Sequence, residues 1–302
     1  MGDFLALHKG EIAAILTALC WTFTSMAFES AGKRVGSLSV NLVRLIIGFF
    51  MLGCYNLITK DIFIPVHAGT HAWIWLSLSG FVGFVIGDLL LFKAFTVVGA
   101  RISMLVMSLS PPLTALFGWL IIGETLSLPA AIGMIVTIWG IALVILGRSA
   151  KKGQFGFKYP IKGVLLAFGG AAGQGLGLVL SKLGMQEQDP FLSTQIRIIA
   201  GIAGFSLLFT LTKRWHQIVN AVKNRKAMIA IFAGAFFGPF LGVSLSLLAV
   251  RYTSTGIAST LNSLSPVMII PFAMWIFKEK ITIKEMIGAV IAVTGVSLFF
   301  IF

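Results

Sequence analysis

Charge is what this 302-residue chain has least of. Asp, Glu, Lys and Arg make up 11% of it, against about 25% in an average soluble domain. With 58% hydrophobic residues and a mean hydropathy of +0.99, that scarcity excludes a soluble globular protein. Short segments of alternating hydrophobicity are missing too, which excludes a transmembrane β-barrel. What remains is a series of apolar runs of about 20 residues, enough to cross a bilayer as helices. In hydrocarbon the backbone must satisfy its own hydrogen bonds, so the chain reads as an all-α polytopic membrane protein.

Histidine and cysteine are equally sparse. His8, His67, His71 and His216 fall at span ends or in loops, which leaves no buried metal cluster, and no metal, cofactor or catalytic residue is expected. Cys20 and Cys54 lie inside apolar runs and read as small packing residues rather than a disulfide or metal pair. Neither H-E-x-x-H nor G-x-S-x-G occurs, which counts against a membrane-embedded enzyme acting on lipid or peptide. The leader before Gly10 has no cationic stretch or small-residue cleavage site, so no removable signal peptide is expected.

What is present is a segment written twice. Val98 to Gly147 aligns without a gap on Thr253 to Phe302. Ser108-Leu109-Ser110-Pro111 falls on Ser263-Leu264-Ser265-Pro266, Glu124 on Glu279, Ile132-Gly133 on Ile287-Gly288 and Gly140 on Gly295. The repeat extends upstream. Gly83, Gly87 and Ala94 match Gly238, Gly242 and Ala249; Arg44 and Gly48 match Arg197 and Gly201; Gly10 matches Gly163.

Ten spans are predicted, at 10–30, 37–59, 72–96, 101–122, 128–147, 161–183, 192–212, 227–250, 256–277 and 284–302. They form two five-helix repeats, 1–150 and 151–302, within one membrane domain. Five spans per half is odd, so the copies must be inverted, a transporter architecture. The net charge of +13 reads as topology rather than nucleic-acid binding, because the bases sit in loops. Lys33, Arg34, Arg101, the Arg148–Lys162 loop, the Lys213–Lys226 loop, Lys278, Lys280 and Lys284 share one side. Only Lys9, Lys60, Lys182 and Arg251 lie on the other. The positive-inside rule places the basic side in the cytoplasm and both termini outside.

The Ser-Leu-Ser-Pro copies, each followed by Gly-Glu-Thr-Leu or Lys-Glu-Lys-Ile and a Gly-punctuated closing span, resemble the EamA family of the drug/metabolite transporter superfamily. The likeness covers nearly the whole chain and is strongest at 83–147 and 238–302. It implies a ten-helix inner-membrane carrier, monomeric or homodimeric, that exports small metabolites by alternating access. Within the family, amino acid exporters of the YddG type are the nearest comparison. It also implies a cavity lined mainly by the first, third and fourth spans of each half. A carrier of nucleotide- or lipid-linked sugars, from the same superfamily, is the alternative; it would want several basic groups in the cavity, and only Arg44 and Arg197 qualify.

Polar residues within the spans give the candidate site. Trp21, Thr22, Ser25, Phe84, Ser108, Gln174, Ser244, Asn262 and Ser263 form the expected substrate lining, with Gln174 and Asn262 foremost because a primary amide in hydrocarbon needs partners. Ser and Thr can instead bond their own helix, and Phe84 can be core. Pro111 and Pro266 remove backbone donors in mid-span and are expected to kink their helices at a gate. Asp88 is the only carboxylate well inside a span. It is expected to pair with Arg44 or Lys93, as a cytoplasmic gate or proton-responsive site, or as a permanent structural ion pair. Arg197 mirrors Arg44 from the outer side and reads as snorkelling to the interface, or else as a gate or an attractor for a substrate carboxylate. Glu124 and Glu279 read as acids that hold tight turns. Ser127 with Pro129, and Thr282 with Glu285, read as helix starts.

Overall fold

The computed structural model describes residues 9–125, 128–148, 155–157, 159–262, 264–265, 268, 272, 274 and 282–301. Helices α1 (Lys9–Val35) and α2 (Ser37–Lys60) are followed by α3 (Thr70–Gly80). This helix continues through a wide π-helical stretch, Phe81–Gly87, into α4 (Asp88–Met107). Then come α5 (Ser110–Ile122), α6 (Leu128–Ile145), α7 (Ile161–Met185) and α8 (Pro190–Thr212). After α9 (Trp215–Lys223), α10 (Arg225–Ala235) passes through a second π stretch, Phe236–Gly242, into α11 (Val243–Tyr252). Two more helices, α12 (Thr255–Asn262) and α13 (Ile283–Ile301), complete the described helices.

Among the described residues, six helical stretches are long and apolar enough to cross a membrane: Lys9–Val35, Ser37–Lys60, Thr70–Met107, Ile161–Met185, Pro190–Thr212 and Arg225–Tyr252. The protein is therefore a multi-pass membrane protein.

The connections hold two elements that hydropathy does not announce. In the loop after α6, strands β1 (Leu146–Arg148) and β2 (Phe155–Phe157) form a small antiparallel ladder, with Gly147 opposite Gly156. The loop before α10 contains α9, whose Trp215 indole donates to Thr210 Oγ1 at 3.2 Å and packs on Phe209. Helix ends follow local chemistry. Asp189 precedes Pro190 and accepts from the amides of Phe191 and Leu192. Thr282 and Glu285 bond each other's amides as a capping box. Ser127 lies outside the described residues.

Glycine decides how closely the helices pack. Gly173 of α7 lies against Gly87, so that an added Cβ would stand 2.6 Å from the Gly87 Cα. One turn on, Gly177 meets Gly83, and beyond it Ser79 Oγ bonds Gly177 O at 2.6 Å and Ser181 Oγ at 2.7 Å. As numbers rise along one helix they fall along the other, so the two run antiparallel. Small residues permit this approach, and packing rather than hydrophobicity drives helix association in lipid.

The same contact recurs with the halves exchanged. Gly242 packs on Cys20 and Gly238 on Thr24, which joins α1 to the second π stretch. Gly48 of α2 meets Ile198 and Pro239, while its counterpart Gly201 of α8 meets Leu45 and Phe84. Between α6 and α13, a Cβ on Gly140 would stand 2.5 Å from Ala292 N, and one on Gly295 would stand 2.5 Å from Thr137 N.

Gly173→Ala should cost about 1–3 kcal/mol by overpacking and lower the melting temperature in detergent. Gly256→Ala, whose Cβ would meet nothing within 4 Å inside α12, should leave it unchanged or raise it.

Candidate functional site

A cavity lies where α1, α4, α5, α7, α8, α11 and α12 converge. Trp21, Leu91, Met104 and Met107 give it an apolar side. Ser108, Ser110, Ser246, Ser259, Asn262 and Ser265 give it a polar one, completed by Gln174 and Arg197; Leu178 and Val243 add further apolar lining. It measures about 80 Å³.

The polar side is built by a broken helix. At Ser108 and Leu109 the amides bond back three residues, to Leu105 O at 3.1 Å and Val106 O at 3.0 Å, and the α-helix restarts at Ser110. Pro111 and Pro112 sit in the first turn of α5, where a missing N–H costs nothing. The break therefore precedes Pro111 instead of being centred on it, and Pro111 itself is buried. Pro266 lies outside the described residues.

Behind the cavity is a buried ion pair. Arg44 Nη2 bonds Asp88 Oδ2, and both side chains are fully buried. Arg44 also donates Nε and Nη2 to Asn41 Oδ1 at 3.2 Å, while Asn41 Nδ2 donates to Asp88 O at 3.3 Å. The guanidinium rests among the rings of Phe92, Phe28 and Phe84, with centroids 4.7, 5.5 and 5.6 Å away. From α7, Gln174 Nε2 donates to Asp88 Oδ1 at 2.5 Å. The glycine contact at Gly87 and Gly173 brings these two groups within reach. Lys93 is exposed and is not the partner of Asp88.

A model of the EamA-like transporter family matches residues 8–146 and 161–301. The chain belongs to that family. An uncharacterized transporter of Archaeoglobus fulgidus is 25% identical over 292 residues, 95% of this chain and 97% of that protein. An uncharacterized transporter of Clostridium kluyveri is 22% identical over 293 residues, 96% of this chain and 92% of its own. The uncharacterized transporter YetK of Bacillus subtilis is 30% identical over 123 residues, 40% of this chain but only 36% of YetK. A solved crystal structure superposes with a TM-score of 0.68 over 97% of this chain and 96% of the other, at 16% identity, which shows a shared fold. The protein is a membrane transporter.

In this EamA-like transporter, four of the residues expected to line a site do face the cavity: Trp21, Ser108, Gln174 and Asn262. Four others do not. Thr22 and Ser25 are turned into their own helix, bonding Ala18 O at 2.9 Å and Thr22 O at 3.0 Å. Phe84 is fully buried, with Arg44 5.6 Å from its centroid and Arg197 4.8 Å from it. Ser244 is fully buried, whereas Ser246 reaches the cavity. The π stretch just before α11 changes the helical phase that a count at 3.6 residues per turn would carry forward. Ser263 lies outside the described residues.

Of the two readings open for Arg197, the structure excludes the first. Arg197 does not snorkel to the interface; it is 3% exposed and faces the cavity, its Nη2 3.2 Å from where a Cβ on Gly83 would stand. The lining residues missed include Ser110 and Ser265, matched second serines of the Ser-Leu-Ser-Pro copies. Their motif had already been noticed; only their facing had not. Glu124 holds its turn and more, accepting from Lys182 Nζ at 2.8 Å and from Thr255 Oγ1, so it ties α5 to α7 and α12.

Arg44→Leu should destabilise the protein by about 3–5 kcal/mol, because it strands a buried carboxylate. Adding Asp88→Leu should recover most of that loss, read as melting temperature in detergent.

Proposed function

We propose that this transporter is an inner-membrane secondary carrier that exports small metabolites, amino acids or similar amphiphiles, by alternating access. The observation that carries the reading is the cavity between reciprocally packed halves. Groups from α1, α4 and α5 face groups from α7, α11 and α12 across it. The exchanged contacts, Gly173 on Gly87 against Gly242 on Cys20, support two inverted five-helix repeats, 1–150 and 151–302, in ten spans. The antiparallel contact of α6 with α13 supports the same arrangement. The basic loops would then be cytoplasmic and both termini outside.

In this reading substrate meets Trp21, Ser108, Gln174 and Asn262 at mid-membrane. The break at Ser108–Leu109 and its Pro266 counterpart are where the walls bend as one side closes and the other opens. Arg197 in the cavity wall and the Arg44–Asp88 pair behind it are the charged groups through which occupancy of the cavity is coupled to helix position. Gln174 reaches both substrate and Asp88, so it links the two.

Counterflow of labelled amino acids into proteoliposomes, with and without a pH gradient, tests the substrate class; no counterflow with any amino acid would exclude it. Gln174→Leu should reduce transport by about tenfold or more, since it removes a hydrogen bond to a charged group. Asp88→Asn should flatten the dependence of transport on the pH gradient. An unchanged profile in that variant would rule out proton coupling through Asp88.

A further inference from the structure

Charge does not balance around the cavity. Arg44 and Gln174 occupy the two oxygens of Asp88. Arg197 forms neither a hydrogen bond nor a salt bridge among the described residues, and its Nε is buried without a partner. Its guanidinium lies 4.8 Å from the Phe84 centroid, a cation–π contact that engages none of its N–H donors. Arginine stays protonated in proteins, so two buried cations share one carboxylate. At the position in the second half that matches Asp88 stands Val243, which lines the cavity and offers no charge. Arg197 is the only charged residue among the described lining.

Two more polar atoms are buried and unpaired beside it. Among the described residues, Ser108 Oγ and Asn262 Oδ1 have no hydrogen-bond partner, although Asn262 Nδ2 donates to Ser246 Oγ at 3.4 Å. A hydroxyl can give or take a hydrogen bond, whereas an amide oxygen needs a donor. Of the lining's polar groups, the cation of Arg197, the acceptor of Asn262 and the hydroxyl of Ser108 thus carry buried atoms without a hydrogen-bond partner among the described residues, in a cavity that Leu91, Met104 and Met107 also line.

We infer that the cavity selects a small monoanion: a carboxylate for Arg197, a neutral donor such as a hydroxyl for Asn262, and a short apolar chain. A zwitterionic amino acid fits less well. Its carboxylate would pair with Arg197, but its ammonium would enter a site with surplus positive charge and no unengaged carboxylate among the described residues. Buried charges are tolerated only when paired. The inference rests on the cavity being the transport site of a metabolite carrier and moves its cargo, within small amphiphiles, from amino acids to hydroxy acids and similar monoanions.

Leucine and 2-hydroxy-4-methylpentanoate differ only in an ammonium against a hydroxyl, so they separate the two charge types at constant shape. Titrated against thermal unfolding of the purified protein in detergent, the hydroxy acid should stabilise at about tenfold lower concentration than leucine. Arg197→Gln should abolish the effect, and Arg197→Lys should keep part of it. Equal or better stabilisation by leucine, stabilisation by neither acid, or an undiminished effect in Arg197→Gln overturns the inference. Should Arg197→Gln not fold, the wild-type pair and Arg197→Lys decide it. Counterflow separates the two readings. Exchange of leucine but not of the hydroxy acid overturns monoanion selection and leaves the carrier standing. Discrimination in binding without counterflow of either acid overturns the carrier and leaves the anion site.

Discussion

Backbone contact between glycines is the constraint on which the rest of this protein depends. In lipid there is no aqueous phase to press apolar faces together, so helices associate through close packing and buried hydrogen bonds. Here α7 can touch the π stretch at Phe81–Gly87 only because Gly173, Gly177, Gly83 and Gly87 carry no side chains. That proximity allows Ser79 to bond Gly177 and Ser181, and Gln174 to bond Asp88, across the boundary between the halves. Gly238 and Gly242 make the corresponding contact with α1.

Within that scaffold the two halves are not chemically equal. Arg44 has its carboxylate at Asp88, while the matching Arg197 has Val243 in that place. A shared backbone arrangement therefore holds one neutralised pair and one buried cation with no carboxylate bonded to it among the described residues, their guanidiniums 5.6 and 4.8 Å from the Phe84 ring centroid. Duplication supplies the symmetry of the packing; divergence at a single position supplies the charge of the cavity. Broken helices do the remaining work, because the interruption at Ser108–Leu109 turns hydroxyls towards a polar pocket that an unbroken helix would cover.

Much of this was legible beforehand. Hydropathy marked the six long apolar helices, the doubled Ser-Leu-Ser-Pro segment marked the family, and the isolation of Asp88 marked the ion pair. Facing was harder to read. Ser246 lines the cavity where Ser244 does not, and nothing in Phe236–Gly242 except its Gly and Pro content signals the wide π turn just before them. Whether Arg197 snorkels or enters the cavity is not legible in the sequence, because position near a span end does not give depth in the bilayer. The small β ladder and α9 were invisible to hydropathy, since both lie in basic loops between spans.

By itself the sequence determined the class of protein, its division into two related halves and its family. Those depend on composition, on apolar runs set by bilayer thickness, and on identities at matched positions, all of which are properties of the chain in one dimension. Only the tertiary structure decided which polar groups meet. That Asp88 bonds Arg44 and Gln174, and leaves Arg197 with no hydrogen bond among the described residues, depends on helix phase and interhelical distance. A π turn or a pair of touching glycines alters both without altering any local preference a sequence can display.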